Sequence, residues 1–519
     1  MDYHPITAVW EITFACNMRC KHCGSSCEGF LPDELTTREA LELCKDIGKL
    51  GLKYLTISGG EPFLREDWHL IAAGLRQNNV IPVVITNGWF IDEDIIDKAF
   101  EARVSNIAIS LDGLRENHDF MRRPGSFDRI MKALDLLKAK GMSSSIVTSL
   151  NKNNIKELPQ LKELLVQKGV DSWQMQIAVA MGNLLNHRHL ILEPHQVDTV
   201  IDFAYRTNLE GNLMVYLADC VGYYNLKEVE VRKMVNPGNK SYDGFWRGCP
   251  AGKNSFGIRC NGNIIGCTSI RDDSYIEGNV RDIPLPELWE KEDAFTWNRE
   301  LTGSDLEGFC KECQYAYHCL GGCTNVKITM ENSLYQNRYC SYRVSAEKEL
   351  ADIEKIIDPD SLIAKGKNYI SDGQYQFAEF CFNRAYRLDP QNRETVDYLG
   401  FIYFQLENYE KCQEFNHISL TLSPDNPYAL KGLGNCLVKM GDTDEGIAYL
   451  KKSIELASED FTDCFHDLAA IYYNRQQFPE ALEILEQGRK KSPHFARQSQ
   501  EFYRLIKEKN RRESPSLHV

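Results

Sequence analysis

The chain has 519 residues, 43% hydrophobic and 26% charged, an ordinary globular composition with room for two to four domains. Its formal net charge of −14 argues against broad nucleic-acid binding, which favours a basic surface. No apolar run approaches the roughly 20 residues that span a bilayer, so no membrane contact is expected; Met1-Asp2-Tyr3-His4-Pro5 lacks the basic-then-apolar order of a signal peptide, and a cytoplasmic location is inferred.

The first 210 or so residues alternate between two patterns. Thr7–Thr13, Tyr54–Ser58, Val80–Thr86, Ser105–Leu111, Ser144–Leu150 and Ser172–Val179 read as strands. Helical patterns lie between them, including Thr37–Lys49, with Thr36 as N-cap, and Phe127–Lys140. Alternating β and α units predict a parallel sheet covered by helices. About six units point to an α/β partial (β/α)6 TIM-like barrel, left open. In such barrels chemistry sits at the C-terminal strand ends. Cys16–Cys23, Gly59-Gly60-Glu61-Pro62, Thr86-Asn87-Gly88 and Ser110-Leu111-Asp112-Gly113 all follow predicted strands.

From about Gly211 to 345 the pattern turns irregular and cysteines return, as in a segment that needs metal to fold. Residues 346–357 read as a connector, with helical character over Ser345–Ile357. From Asp358 the chain repeats. Gly366, Gly400, Gly434 and Ala469 recur at near-constant spacing, and Tyr369, Tyr403, Leu437 and Tyr472 follow each by three residues. Ala378, Cys412, Gly446 and Ala481 follow by twelve. Small residues paired with bulky ones at this period make tetratricopeptide (TPR) repeats over 358–510, an all-α solenoid capped by Ala496–Asn510. Residues 511–519 read as a disordered tail.

Eighteen cysteines are many for a chain without a secretory signal, so metal or redox roles are expected over disulfides. Cys16, Cys20 and Cys23 follow a strand with C-x3-C-x2-C spacing. Structural zinc wants four ligands. Three clustered thiols fit an iron–sulfur cubane with one iron open for reaction. A zinc knuckle or scattered core thiols is the plainer alternative.

The triplet, the GGEP run and the Ser110-to-Arg122 segment together resemble the radical S-adenosylmethionine (radical SAM) superfamily. The resemblance implies a 4Fe–4S cluster on Cys16, Cys20 and Cys23 whose open iron takes S-adenosylmethionine. It implies that Gly59, Gly60 and Glu61 hold the methionine amino group, with glycines because a side chain would block the ligand and Glu61 as the anionic acceptor. Ser110 and Arg122 match positions that bind the methionine carboxylate; Asn87 and Asp112 would reach the nucleoside or shape the pocket.

Cys249, Gly262 and Cys267, then Cys310, Cys313, Cys319 and Cys323, then Cys340, resemble the SPASM extension that carries auxiliary clusters. By that resemblance Cys310, Cys313, Cys319 and Cys340 hold one 4Fe–4S cluster. Cys249, Cys267 and Cys323 hold another, with Cys260 as fourth ligand if it reaches in; an open iron or a ligand such as Cys220 is the alternative. Sulfatase-maturing relatives place an aspartate after the second of these thiols, where this chain has Thr268, which disfavours that activity. The opening segment around Trp10, with His22, looks closer to maturases of ribosomally made peptides, and also similar to radical enzymes of haem-precursor side chains.

The expected activity is oxidative crosslinking or cyclisation of a peptide or protein side chain by a 5′-deoxyadenosyl radical. The substrate is expected to dock on the repeats, and the electron donor to be a flavodoxin or ferredoxin. Action on a tetrapyrrole or other small molecule is the alternative within the same chemistry. A non-catalytic iron–sulfur scaffold is the alternative outside it.

Overall fold

The computed structural model describes residues 3–236, 238 and 242–513. Its described residues divide into two compact units, Met1–Ser345 and Ala346–Val519.

The first unit is built on a ten-stranded sheet. Strands β1 (Thr7–Glu11), β2 (Tyr54–Ser58), β3 (Ile81–Thr86), β4 (Asn106–Ser110), β5 (Ser144–Leu150), β6 (Ser172–Ile177) and β7 (Met214–Leu217) lie side by side in chain order, all parallel. Each crossover carries helix: α1 (Thr37–Lys49), α2 (Trp68–Gln77), α3 (Glu93–Glu101), α4 (Arg115–Met121) with α5 (Ser126–Lys140), α6 (Leu158–Lys168) and α7 (Val197–Glu210). This is the expected TIM-like α/β fold, left open, with seven parallel strands where six units were read. β7 escaped the reading because four residues give too little alternation to stand out.

The alternation buries Trp10 and Ile57 completely on one sheet face. α1 starts at the expected Thr36 N-cap, and the structure adds the reciprocal half: Glu39 N donates to Thr36 Oγ1, and Thr36 N donates to Glu39 Oε2.

On the other side of β1 the chain returns as β8 (Ser255–Ile258), parallel to it, with Thr7 opposite Ser255. β9 (Asn263–Ile265) turns back antiparallel through Asn261-Gly262, Gly262 at φ +89°, and β10 (Ile276–Asn279) completes the sheet. The cysteine-rich segment is thus continuous with the barrel sheet.

The second unit holds helix pairs Pro359–Ser371 with Tyr375–Leu388, Arg393–Gln405 with Tyr409–Leu422, Pro427–Met440 with Thr443–Glu455, and Asp463–Asn474 with Phe478–Lys491. A Cβ added at Gly434 would stand 2.6 Å from Leu450 Cγ and 2.8 Å from Gly446 O, which is why both repeat positions are glycine here. Cys381, Cys412, Cys436 and Cys464 are fully buried core thiols. The stretch read as one capping helix is two, Pro493–Gln498 and Gln500–Glu513. Helix therefore runs into the predicted tail as far as Glu513, and 514–519 lie outside the described residues. The connector helix spans Ser341–Ile353, four residues earlier at each end than read.

Candidate functional site

The C-terminal strand ends open onto a cavity of about 440 Å³. Cys16, Cys20 and Cys23 line it together, held in a loop where Cys16 N donates to Glu28 O (2.9 Å) and Cys23 N to Cys20 O (3.2 Å). Burial pushes the Cys16 thiol up and that of Cys20 to about 12, while a hydrogen bond with Cys27 draws Cys23 down. The Cys16 and Cys20 thiols therefore ionise more readily against a cation.

Gly59 and Gly60 line the same cavity. Their lack of a side chain answers first to the protein's own backbone. A Cβ at Gly59 would stand 2.4 Å from Thr13 O, and one at Gly60 2.1 Å from Ala15 O. The β1 and β2 ends meet here, with Gly60 N donating to Thr13 O and Glu61 N to Ala15 O, both at 2.8 Å. Glu61 departs from expectation. Its carboxylate is fully buried and accepts from Thr86 Oγ1 (2.7 Å), Asn87 N (2.8 Å) and Phe63 N (3.3 Å). It braces the β2 and β3 ends together and is not among the residues lining the cavity. Burial raises its pKa to about 7 against those hydrogen bonds.

Arg122 lines the cavity beside the triplet, with Nη1 4.0 Å from Cys20 Sγ and Nη2 3.4 Å from His22 Nε2. Its Nε donates to Asp112 Oδ2 at 2.5 Å. Asp112 is fully buried and also accepts from Ser149 N (2.9 Å). Burial works against its charge, but Arg122 and then His22 and His118 hold its carboxyl down at about 2. Asp112 therefore positions Arg122 and does not itself face the cavity. Ser110 and Asn87 do, and Asn87 Nδ2 reaches Asn17 Oδ1 at 2.7 Å.

The later thiols fall into two groups. Cys310, Cys313, Cys319 and Cys340 surround one small cavity. Burial raises all four, Cys313 to about 12. Cys267 and Cys323 line the same large cavity as the triplet, and the thiols acting on Cys323 through space include Cys249, Cys220 and Cys267. Cys260 stands apart. It lines a separate cavity, and after burial its electrostatic neighbours are Glu34, Glu11 and Asp33. The fully buried Lys327 lies between the two groups, feeling Cys249 and Cys323 of one and Cys319 and Cys310 of the other, with Nζ donating to Leu320 O (2.9 Å).

Sets of soft thiol donors suit iron–sulfur clusters. Among the described residues no three His, Cys, Asp or Glu side chains stand close enough to hold one ion. Thiolates on separate irons of a cubane stand farther apart than thiolates sharing one zinc.

Comparison with known proteins agrees. Residues 10–165 match the radical SAM superfamily, 249–314 the iron–sulfur cluster-binding SPASM domain, and 371–453 anaphase-promoting complex subunit 3. The chain carries a radical SAM domain and a SPASM domain, followed by a TPR-like helical region. The two iron–sulfur domains imply S-adenosylmethionine and iron–sulfur clusters as cofactors. The chain is similar to the AdoMet-dependent heme synthase of Methanosarcina barkeri (27% identical; 66% of this chain, 98% of that protein). It is also similar to mycofactocin maturase MftC of Mycobacterium tuberculosis (27%; 62% and 79%). Its fold matches Streptococcus suis SuiB bound to precursor peptide SuiA (TM-score 0.52, 16% identity; 65% and 75%) and anSMEcpe with AdoMet and a peptide (TM-score 0.51, 20%; 65% and 95%). No helix among the described residues is long and apolar enough to cross a membrane.

Asp219 lies near the predicted junction and could face substrate, but nothing in the spacing singles it out in the sequence. It follows β7 and lines the cavity, and recognising that short strand would have placed it at a strand end.

Proposed function

We propose that this chain is a radical SAM enzyme that oxidatively modifies a peptide or protein side chain, by crosslink or cyclisation. With the cofactors bound, they supply reductive cleavage of S-adenosylmethionine to a 5′-deoxyadenosyl radical that takes a hydrogen atom from an unactivated C–H. Cys16, Cys20 and Cys23 hold the radical cluster. Gly59 and Gly60 give the methionine end room to approach, and Ser110 and Arg122 orient its carboxylate. Asp112 and Glu61 fix those groups from behind. A net oxidation must then dispose of one electron and one proton. Cys267 and Cys323 line the same cavity and would hold an auxiliary cluster that supplies an acceptor for the electron; Asp219 is one cavity-lining group that could take the proton. The single observation that carries this reading is that the triplet and the Cys267/Cys323 pair face one cavity.

Two features favour a peptide or protein. The cavity's arginines are already neutralised, Arg122 by Asp112 and Arg271 by Glu11. Little positive charge is left to attract a polycarboxylate. The match to the heme synthase spans 98% of that protein within 66% of this chain, so the repeats are additional to such an enzyme. Repeat arrays of this kind present extended surfaces for chains. A tetrapyrrole substrate is the second reading, favoured by the relatives named heme synthases.

The test is anaerobic reconstitution with dithionite and S-adenosylmethionine, comparing the full chain with one lacking residues 358–519. The peptide reading expects 5′-deoxyadenosine from both, and product from a candidate peptide that falls with the deletion. Unchanged peptide binding and processing would remove the docking role. Turnover of a porphyrin precursor instead would replace the substrate class. A flavodoxin or ferredoxin replacing dithionite identifies the donor.

A further inference from the structure

We propose that Cys220 supplies the fourth thiolate of the auxiliary cluster held by Cys249, Cys267 and Cys323. This rests on the reading above that those three thiols hold such a cluster. Along the sequence Cys260 is the obvious candidate, because it lies between Cys249 and Cys267. The fold removes it: Cys260 sits at the β8–β9 turn, where its carbonyl accepts from Leu35 N at 2.8 Å and its side chain lines a different cavity.

Cys220 comes from the far edge of the sheet, three residues after β7 ends at Leu217. Its thiol opens onto the cavity that Cys267 and Cys323 line, and with Cys249 and Cys267 it is one of the three thiols that act on Cys323. Tyr223 fastens the two segments together. Cys323 N donates to Tyr223 Oη at 3.0 Å, and that hydroxyl donates to Asp219 O at 2.7 Å. The carbonyl ahead of Cys220 is thereby tied, through one phenol, to the backbone of Cys323.

The turn is held from other sides as well. Arg232 Nη2 donates to Val221 O (2.9 Å), Ser341 N to Gly222 O (3.0 Å) and Tyr224 Oη to Trp246 O (2.8 Å). These contacts hold Tyr223 and Tyr224 at φ +79° and +60°, a left-handed backbone that non-glycine residues adopt only when their surroundings impose it. Asp219 is the neighbouring oxygen donor, but iron–sulfur clusters select soft thiolate. Four thiolates leave every iron of a cubane coordinated. A cluster so closed exchanges electrons with substrate without binding it, unlike the triplet's.

The experiment uses the full chain with Cys16, Cys20 and Cys23 changed to alanine, so that the radical cluster's open iron is absent. After anaerobic reconstitution this parent should hold about eight irons, and the EPR signal of its reduced clusters should not respond to cyanide. Adding Cys220→Ala should either cost up to about four irons or create a cyanide-dependent signal from a newly open iron. Cys260→Ala should do neither. A cyanide response in the parent, a Cys220→Ala protein identical to the parent, or the effect appearing with Cys260→Ala instead would overturn the assignment. A parent with only about four irons would overturn the auxiliary-cluster reading itself, which separates the two failures. The unsubstituted holoprotein gives a second readout: iodoacetamide should spare Cys220 until the iron is chelated, and equal labelling before and after chelation would reject it as a ligand.

Discussion

Arg122 Nε lies 2.5 Å from Asp112 Oδ2, a pair in which the carboxylate is fully buried and the guanidinium nearly so. The residue facing the cluster loop is thus aimed by one that never reaches the cavity. Asp112→Asn removes the charge and keeps the shape, leaving a buried cation unpaired at a cost of about 3–5 kcal/mol. The expected outcome is a lower denaturant midpoint and weaker S-adenosylmethionine binding in the same variant. Normal binding by Asp112→Asn would show that Arg122 needs no such support.

Two buried carboxylates, past the ends of β2 and β4, respond to pH in opposite senses. Glu61 is raised from 4.5 to about 7 by burial, so its contribution is full below its unfolded pKa and is lost as pH rises through 7. At about 1.4 kcal/mol per unit this amounts to roughly 3 kcal/mol. Asp112 is lowered from 3.8 to about 2, so its contribution is present above its unfolded pKa and is lost as pH falls through 2. Urea unfolding of the cluster-free chain should show stability declining between about pH 4.5 and 7. Glu61→Gln should flatten that decline, and an unaltered slope would mean that another group causes it.

Gly60→Ala tests close approach. The new methyl would lie 2.1 Å from Ala15 O, a backbone atom with no rotamer to escape into. A loss of about 1–3 kcal/mol is expected, as for other overpacked sites, together with reduced S-adenosylmethionine cleavage. Gly29→Ala, where nothing lies within 4 Å, is the matched control and should change neither.

Cys16→Ala should abolish 5′-deoxyadenosine formation and lower iron content by about four from a starting value near twelve. Retention of activity would remove the triplet from the chemistry, and a wild-type value near four would remove the auxiliary clusters.

Leu450 is fully buried against Gly434 in the third helix pair. Leu450→Ala should destabilise the repeat unit by about 2–5 kcal/mol, read as an earlier transition in its helical circular dichroism. An unshifted transition would mean that the pair is not packed as described.

Much of the barrel was legible because local patterns and tertiary packing agree. Tyr54–Ser58 and Ser144–Leu150 are strands to the residue, and α1 spans the stretch read behind its Thr36 N-cap. What stayed illegible depends on contacts between distant segments. Glu61 reads as an acceptor for a ligand until the fold supplies Thr86 and Asn87 as its donors. Asp112 reads as pocket-lining until Arg122 closes on it. Cys260 and Cys220 cannot be ranked by spacing, since chain distance does not say which cavity a thiol reaches. The repeats were legible throughout, because each unit packs mainly on its neighbours.

The pairing of β8 with β1 divides the chain differently from its change in composition near residue 211. β1 carries the triplet loop, and without β8 its outer row of amides and carbonyls would be bare, an open edge that invites pairing with another molecule. A fragment ending after β7 would therefore expose, next to its reactive cysteines, a template for aggregation. The iron–sulfur segment thus lends the barrel a sealing strand, and a piece that keeps the β1 edge paired must run at least through β8 to Ile258.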